Sequence, residues 1–269
     1  MICFPNAKIN IGLNVVAKRP DGFHDLETVF YPIDLCDALE FIHSETLSFK
    51  NTGLHIEGDF SHNLVVKAWE MIGRDFNIPP VNIHLHKVIP FGAGLGGGSA
   101  DAAFMLVMLN KYFELQIPDG KLKEYAARLG SDCTFFINNK PSFATGRGEI
   151  LEDIAIELSG KKLVLVNPGI HVPTKDAFAS IKPQRPVHDI CELMKLPISQ
   201  WKDLVCNDFE NSIFPRYPAI KAIKTKLYEL GALYASMSGS GSSVYGIFDP
   251  SIDTRQQFPG YFAWESEMM

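Results

Sequence analysis

The chain has 269 residues, of which 46% are hydrophobic, and a formal net charge of −6. This length allows one large core or two modest ones, and the acidic balance argues against a nucleic-acid partner bound through a broad basic face. The five cysteines are widely spaced without a Cys-x-x-Cys pair, so we expect neither a disulfide framework nor a zinc site, and a cytoplasmic location. No leader pattern and no apolar run of about 18 residues is present, so we expect no membrane partner.

The first third of the chain is predicted to combine strands with a helix. Apolar residues alternate from Ile9 to Val15, and Arg19-Pro20-Asp21-Gly22 then supplies turn chemistry before a return strand from Phe23 toward Phe30. Leu54 to Ile56 is predicted to be a short strand. Asn63 to Ile72 is predicted to be a helix because its apolar residues recur at helical spacing. The N-terminal half is therefore expected to be mixed α+β.

A run of five glycines in seven residues, Gly92 to Gly98, dominates the next segment. A strand with one wet face is predicted before it, around Val81 to Leu85, and a helix after it, from Ser99 to Tyr112. The glycines therefore lead the backbone onto a helix N-terminus, where unpaired N–H groups and the helix dipole favour an anion. We interpret the run as a phosphate-binding loop.

Two other interpretations of the glycines remain open. Gly92-x-Gly94-x-x-Gly97 matches the dinucleotide-binding pattern, but that pattern belongs to a strand-helix-strand unit. Here Pro118-Asp119-Gly120 predicts a turn, followed by a second helix at Leu122 to Leu129 rather than a strand. The ordinary P-loop fails because no Gly-Lys-Ser/Thr closes the run. A phosphate loop of a third type is favoured, ahead of a dinucleotide site and a flexible turn.

A domain boundary is expected near Ile156, where acidic residues alternate with apolar ones before the polar turn Ser159-Gly160-Lys161-Lys162. This boundary divides the chain into 1–156 and 157–269. A helix is predicted from Ala219 to Leu230, with Gly231 as its C-terminal cap. Strands at Leu233 to Met237 and Val244 to Phe248 flank a second glycine loop. Taken alone, that loop is typical of an ordinary hairpin turn.

Phosphoryl transfer needs a phosphate cradle, a nearby positive charge and a carboxylate, and each has a candidate. Asp132 could be the carboxylate or a turn or capping residue, and Lys8 could be the cation or a solvated strand-edge side chain. Ser99 could place its hydroxyl on magnesium or cap a helix. His84 and His86 share a strand face that suits two metal ligands, although a wet strand face is the favoured interpretation.

Five segments lie in the order typical of one known family. They are Ala7-Lys8-Ile9-Asn10, Arg19-Pro20-Asp21-Gly22-Phe23-His24-Asp25-Leu26, Pro90 to Ser99, Leu129-Gly130-Ser131-Asp132 and Ser238-Gly239-Ser240-Gly241. The chain thereby resembles the family of 4-diphosphocytidyl-2-C-methyl-D-erythritol kinases, within the superfamily of galactokinase, homoserine kinase, mevalonate kinase and phosphomevalonate kinase. Asp21-Gly22-Phe23-His24 and the pair Gly97-Gly98 carry the finer resemblance.

The resemblance implies an α+β, two-domain small-molecule kinase fold. An N-terminal ribosomal-S5-like domain (1–156) would bind ATP, and a C-terminal ferredoxin-like domain (157–269) would bind substrate. The implied reaction is ATP-dependent phosphorylation of the 2-hydroxyl of a diphosphocytidyl methylerythritol in the non-mevalonate isoprenoid route, with ATP and Mg²⁺ as cofactors and a monomer or homodimer as the working form. Kinases for another small alcohol, a dinucleotide-dependent oxidoreductase and a nucleotide-binding regulator without catalysis are the competing hypotheses.

The resemblance also assigns roles residue by residue. Asp132 would be the base and Lys8 its cationic neighbour, while Asn10 would bind substrate hydroxyls from the same strand face. Cytosine would stack between Phe23 and Phe178, with His24 and Thr174 beside it. The ATP loop would comprise Pro90, Phe91, Gly92, Ala93, Gly94, Leu95, Gly96, Gly97, Gly98, Ser99 and Ala100. The supporting loop would comprise Ser238, Gly239, Ser240 and Gly241.

Overall fold

The computed structural model describes residues 1–56, 59–250, 252, 254 and 256–268. The strands are β1 Ile2–Cys3, β2 Asn6–Lys18, β3 His24–Cys36, β4 Ala38–His43, β5 Ser48–Gly53, β6 Val81–Lys87, β7 Ser142–Thr145, β8 Ile150–Asp153, β9 Lys162–Asn167, β10 Tyr234–Met237, β11 Val244–Phe248 and β12 Phe262–Glu267. The α-helices are α1 Leu64–Phe76, α2 Gly97–Tyr112, α3 Asp119–Leu129, α4 Phe135–Asn138, α5 Thr174–Phe178, α6 Ile190–Leu193, α7 Glu210–Ile213 and α8 Pro218–Glu229. Short 3-10 helices lie at Phe60–His62, Ser131–Thr134 and Ile198–Asp203.

The chain forms two compact units that each draw on several segments. The first unit comprises Met1–Ala7, Asp34–Phe91 and Gly96–Lys140. Its sheet has the strand order β1-β4-β6-β5, with β5 parallel to β6. Alternate residues of β6 are buried against α1, α2 and α3, which supply the rest of one apolar core. The period-2 pattern of β6 therefore places one face in the core, as the sequence predicts.

The second unit comprises Lys8–Ile33, Gly92–Leu95 and Pro141–Met269. It contains a sheet of order β2-β3-β7-β8 and a second of order β10-β11-β9-β12. A buried apolar cluster joins Leu13 and Val15 of β2 to residues of β9, β10, β11 and α8. The predicted hairpin is confirmed, because β2 and β3 are neighbours and Gly22 takes φ +86° in the turn between them.

Helix ends follow local capping chemistry. The side chain of Asn63 accepts a hydrogen bond from the backbone N–H of Val65 and so starts α1, and Asn77 ends that helix at φ +50°. Helix α8 ends one residue earlier than predicted, and Gly231 follows it at φ +95°. A left-handed residue after a helix favours glycine, which explains why Gly231 marked this end in the sequence.

Two local predictions are wrong. No strand forms at Leu54–Ile56; the strand is the segment before it, β5. Its residues are mostly polar, and pairing with β6 rather than an apolar alternation of its own makes it a strand. The predicted turn at Pro118-Asp119-Gly120 is the start of α3, because Pro118 occupies the N-cap position and Asp119 the first helical position. Proline is tolerated at a helix start, so the turn signal was a helix-start signal.

No helix in the described part of the chain is both long and apolar enough to cross a membrane.

Candidate active site

Lys8 is a buried cation near the start of β2, with 3% of its surface exposed. Its Nζ donates to Asn10 Oδ1 at 2.6 Å and to the carbonyl oxygen of Gly94 at 3.2 Å. The same Nζ lies 4.8 Å from the centroid of the Phe30 ring. Because Lys8 is buried, its interpretation as a solvated strand-edge side chain is wrong. Its hydrogen bonds offset the cost of burying an ammonium group.

Asn10 connects β2 to both glycine-containing segments of the second unit. Its backbone N–H donates to Ser238 Oγ at 3.2 Å, and that hydroxyl donates to the Gly94 carbonyl at 2.8 Å. Its side-chain amide donates to Thr28 Oγ1 at 3.0 Å. A Cβ on Gly94 would lie 1.9 Å from the Ser238 carbonyl oxygen, so only glycine permits this approach. Lys8, Asn10, Gly94 and Ser238 are thus one hydrogen-bonded cluster.

The Ser238–Gly241 segment is a hairpin turn that also supports the glycine run. It joins the antiparallel strands β10 and β11, as predicted, and Ser238 N donates to the Ser243 carbonyl at 2.9 Å. Asn207 Nδ2 donates to the carbonyl oxygens of Met237 and Gly239 at 2.8 and 2.9 Å. Since Ser243 N also donates to the Ala93 carbonyl at 3.2 Å, the turn holds part of the glycine run in place.

In the first unit, α2 begins at Gly97 with the left-handed Gly96 as its N-cap, and no side chain caps this helix start. Ser99 lies inside the first turn of α2, whose N-cap is Gly96, so the capping interpretation of Ser99 is wrong. Gly98 is exposed, and a Cβ there would meet no heavy atom of the described residues within 4 Å. A helix start of this kind presents N–H groups to an anion.

Asp132 lies in the 3-10 helix Ser131–Thr134 of the first unit and is half-buried. The N-cap of that helix is Gly130 and the N-cap of α4 is Thr134, so Asp132 caps neither helix. Next to it, Cys133 is fully buried, and burial raises the pKa of its thiol to about 12. The thiol is therefore neutral at pH 7 and cannot accept a proton in place of the Asp132 carboxylate.

The residues predicted to bind cytosine lie in the second unit. The His24 ring stacks on the Phe178 ring with centroids 4.6 Å apart and an interplanar angle of 17°. Phe178 in turn packs edge-on against Phe209, whereas Phe23 is 54% exposed with the Arg147 guanidinium 4.9 Å from its ring centroid. Thr174 is exposed at the start of α5. Phe23 is therefore not a core residue, and His24 covers one face of Phe178.

The histidine pair of β6 is a polar strand face. Thr52 Oγ1 lies 2.8 Å from His84 Nε2 and 3.0 Å from His86 Nδ1, and His84 Nδ1 lies 3.1 Å from Glu40 Oε1. Among the described residues no group of three His, Cys, Asp or Glu side chains could hold a metal ion. The favoured interpretation of a wet strand face fits these contacts.

A cavity of about 350 Å³ opens beside the end of β5 in the first unit. Aromatic rings from Phe49 and Phe60 and amides from Asn51 and Asn63 line it. Nothing in the sequence pointed to it, since its lining comes from segments joined only by the fold.

Comparison with known proteins identifies the family. The profile of the GHMP kinases N terminal domain matches residues 63–140, and that of the GHMP kinases C terminal domain matches residues 190–256. The chain is 54% identical over its whole length, and that of the relative, to a 4-diphosphocytidyl-2-C-methyl-D-erythritol kinase of Bacteroides fragilis. This chain belongs to the GHMP kinases, among the 4-diphosphocytidyl-2-C-methyl-D-erythritol kinases.

Further relatives agree with this placement. A 4-diphosphocytidyl-2-C-methyl-D-erythritol kinase of Parabacteroides distasonis is 50% identical over the full length of both chains. A crystal structure of 4-(cytidine 5'-diphospho)-2C-methyl-D-erythritol kinase superposes with a TM-score of 0.76 at 31% identity, covering 92% of this chain and 90% of the other. The mevalonate kinase of Methanococcus jannaschii reaches a TM-score of 0.74 at 14% identity over 100% and 98% of the two chains, which shows a shared fold.

These matches confirm the predicted two-domain α+β kinase fold and the predicted class of enzyme, a phosphotransferase that uses ATP. The hypothesis of a dinucleotide-dependent oxidoreductase is therefore wrong. Its pattern, Gly92-x-Gly94-x-x-Gly97, lacks the strand-helix-strand unit that it requires, since α3 follows α2.

Sequence reasoning missed a buried charge cluster in this kinase. Lys87 occupies the apolar face of β6, with Val81, Ile83 and Leu85, yet it is only 1% exposed. It contacts the carboxylates of Asp37 and Asp101, both of which are also buried. A lysine on the core side of a period-2 strand was the available signal, because such a lysine requires buried acidic partners.

Proposed function

We propose that this kinase transfers the γ-phosphoryl group of ATP to the 2-hydroxyl of 4-diphosphocytidyl-2-C-methyl-D-erythritol, a step of the non-mevalonate isoprenoid route. The observation that carries the proposal is the full-length identity of 54% to a kinase named for that substrate. The hydrogen-bonded cluster of Lys8, Asn10, Gly94 and Ser238 supports it, because it holds a cation against the glycine run.

The glycine run would hold the phosphates of ATP. The start of α2 has no side-chain cap, and the exposed Gly98 leaves room for a phosphate close to the backbone. Helix N-termini of this kind favour anions through unpaired N–H groups and the helix dipole. The cavity beside β5 would take the purine ring, since its volume of about 350 Å³ falls in the range of small-ligand pockets and it has both aromatic and amide lining.

Asp132 and Lys8 would divide the chemistry. The 2-hydroxyl oxygen attacks the γ-phosphorus, the bond from that phosphorus to the ADP oxygen breaks, and the hydroxyl proton passes to the Asp132 carboxylate. Lys8 would stabilise the negative charge spread over the transferred phosphoryl oxygens. Its burial supports this role, because a cation in a poorly solvated site acts on nearby charge more strongly than one in water.

Substrate recognition would involve the cytosine ring. Phe23 offers an exposed ring face, and Phe178 offers a face that His24 covers in this structure. For cytosine to stack between Phe23 and Phe178, the imidazole must leave the Phe178 face, after which its nitrogens could hydrogen-bond the base edge. Thr174 and Asn10 would complete the polar contacts.

Mg²⁺ would enter with the nucleotide. The part of the chain that the structure describes contains no group of three His, Cys, Asp or Glu side chains suited to a metal, so the residues do not form a resident cage. This fits magnesium, which is commonly bound by substrate phosphates, waters and one or two protein oxygens. When bound, the ion supplies positive charge to the ATP phosphates.

We also propose a cytoplasmic enzyme that works as a monomer or homodimer, with ATP bound chiefly by 1–156 and the acceptor chiefly by 157–269. The absence of a Cys-x-x-Cys pair and the wide cysteine spacing support the location. The glycine run and the cavity beside β5 fall within 1–156, which supports ATP binding there, whereas Thr174 and Phe178 would bind the acceptor from 157–269 and Asn10, Phe23 and His24 would join them from 1–156.

Product analysis tests the proposed reaction. The purified kinase is incubated with ATP, Mg²⁺ and the diphosphocytidyl acceptor, and the product is examined by phosphorus NMR. We expect one new phosphate monoester, formed at the 2-hydroxyl oxygen, and one ADP per product. Phosphate on another hydroxyl, or ATP hydrolysis without transfer from a folded preparation, would contradict the proposal.

A further inference from the structure

Three buried charged residues of the first unit have no part in the reaction scheme above. Asp37, Lys87 and Asp101 are exposed by only 1%, 1% and 2%. Lys87 Nζ donates to the Asp37 carboxylate and, at 2.8 Å, to Asp101 Oδ2. The two carboxylates come from positions 50 residues before and 14 residues after the lysine, so the fold itself brings them together.

Asp37 holds the backbone that enters the glycine run. Its Oδ1 accepts hydrogen bonds from the backbone N–H groups of Val88 at 2.6 Å and Ile89 at 2.9 Å. These are the residues that follow β6 and precede Pro90. A buried carboxylate with two backbone donors and an ammonium therefore fixes the direction in which the chain leaves the strand.

Asp101 ties the other end of the run to the same lysine. It lies early in α2, beyond the last glycine, and Lys87 Nζ is its hydrogen-bond partner. Gly97 packs directly on this group, because a Cβ there would lie 2.8 Å from Ile89 Cγ2 and 3.2 Å from Lys87 Nζ. The start of α2 and the end of β6 are therefore held at one point.

A phosphate loop needs such an anchor more than most segments do. Gly92, Gly94 and Gly96 have positive φ angles, and a glycine-rich backbone has many alternative conformations available to it. Donors stabilise developing charge only when they are already in position. Buried ion pairs, by contrast, contribute little to stability compared with apolar residues of similar size, so stability alone is a weak reason for three buried charges here.

We propose that Asp37, Lys87 and Asp101 form a positioning cluster that fixes both ends of the glycine run for the phosphates of ATP. None of the three contacts the nucleotide, and they act through the backbone at 88–89 and at the start of α2. The inference rests on the proposed placement of the ATP phosphates at this run.

Steady-state kinetics of Asp101→Asn and Asp37→Asn test the cluster, measured well below each variant's melting temperature. Both substitutions keep the side-chain shape, and at an assay pH of about 8.5, above the pKa of about 7 that burial gives Asp101, both remove a charge. We expect the KM for ATP to rise by at least about tenfold, since a misplacement of about 1 Å can cost up to about 10²-fold, with the KM for the acceptor unchanged. If Asp101→Asn does not fold, Asp101→Glu keeps the charge and displaces the carboxylate, with the same expected change.

Two further variants make the outcome decisive. Lys162→Met breaks a partly buried ion pair, 2.6 Å from Nζ to Glu265 Oε2 in the second unit, and should lower stability without changing the KM for ATP. Gly98→Ala adds a methyl group where no described atom lies within 4 Å, and should raise the KM for ATP if phosphate binds there. A raised KM in Gly98→Ala with an unchanged KM in both Asn variants overturns the positioning cluster alone. An unchanged KM in Gly98→Ala overturns the phosphate placement and the cluster with it.

Discussion

Lys8 Nζ donates a hydrogen bond of 2.6 Å to Asn10 Oδ1, and both residues are almost fully buried. Residues two apart on a strand share a face, so β2 itself brings the pair together. Because Asn10 Nδ2 donates to Thr28 Oγ1 at 3.0 Å, the amide can present only its oxygen to the lysine. The ammonium is therefore held in one orientation.

This geometry predicts a graded loss of turnover. Lys8→Met should lower kcat about 10²- to 10³-fold, the range found when one charge-stabilising donor is removed, and Asn10→Ala should lower it less. Thr28→Val is the matched control, since it removes the hydroxyl that accepts from the Asn10 amide and donates to the Gly12 carbonyl but leaves Lys8 and Asn10 in place, and it should have the smallest effect. Initial rates at saturating ATP and acceptor measure the series. A kcat for Lys8→Met within twofold of the parent would remove Lys8 from the chemistry.

Asp132→Asn should separate binding from chemistry. The amide keeps the size of the carboxylate but cannot accept the hydroxyl proton, so kcat should fall about 10²- to 10⁴-fold. Thermal-shift titration should give the parent affinity for ATP, because a ligand that binds the native state raises the melting temperature according to its dissociation constant. Unchanged turnover would mean that another group takes the proton.

Phe178→Ala should chiefly raise the KM for the acceptor. One base-to-aromatic stacking contact contributes about 1–3 kcal/mol, which corresponds to a roughly 5- to 150-fold change. Phe209→Leu is the control, because Phe209 packs edge-on against Phe178 and its substitution disturbs the same core without removing the stacking ring. If Phe178→Ala alters only the KM for ATP, Phe178 does not bind the cytosine.

The stability of this kinase should depend on pH through Asp101. Burial outweighs the attraction of Lys87 and raises the pKa of the Asp101 carboxyl from 3.8 to about 7. Asp37 adds to the rise, and the nearby Cys3 thiol stays neutral because burial raises its own pKa to about 12. Between about pH 4 and pH 7 the folded state therefore binds a proton that the unfolded chain has released, so this group's contribution to stability falls as pH rises.

Denaturant unfolding of the parent and of Asp101→Asn from pH 5 to pH 8.5 measures this dependence. Asparagine resembles the protonated acid and does not titrate, so the stability of the parent relative to the variant should be highest near pH 5 and should decline until the pH exceeds about 7. A stability difference that stays constant across the range would show that Asp101 is ionised throughout.

Local features of the fold could be predicted because their causes are local in the chain. The turn at Arg19–Gly22 needs a glycine at positive φ, and the end of α8 needs one at Gly231, so residue type alone marked both places. The strand β5 was misplaced because it is held by pairing with β6, 34 residues away, rather than by an apolar pattern of its own.

The candidate site was predictable only in part, because several of its contacts join residues that are far apart in the sequence. Lys8 and Asn10 are two residues apart, so their shared face follows from the strand period. Their contacts with Gly94 and Ser238 span 86 and 228 residues, and only the packed fold creates them. The stack of His24 on Phe178 likewise joins distant segments, so the sequence could indicate which side chains suit a base but not which ring covers which.

The acceptor preference of the kinase tests the proposed substrate most directly. With ATP and Mg²⁺ held constant, kcat/KM is measured for the diphosphocytidyl methylerythritol, for mevalonate and for homoserine. We expect turnover with the diphosphocytidyl acceptor to exceed that with the other two by at least about 10³-fold, because only that acceptor has a cytosine to bind and a diphosphate to anchor it. A comparable or higher kcat/KM for mevalonate or homoserine would contradict the proposed substrate.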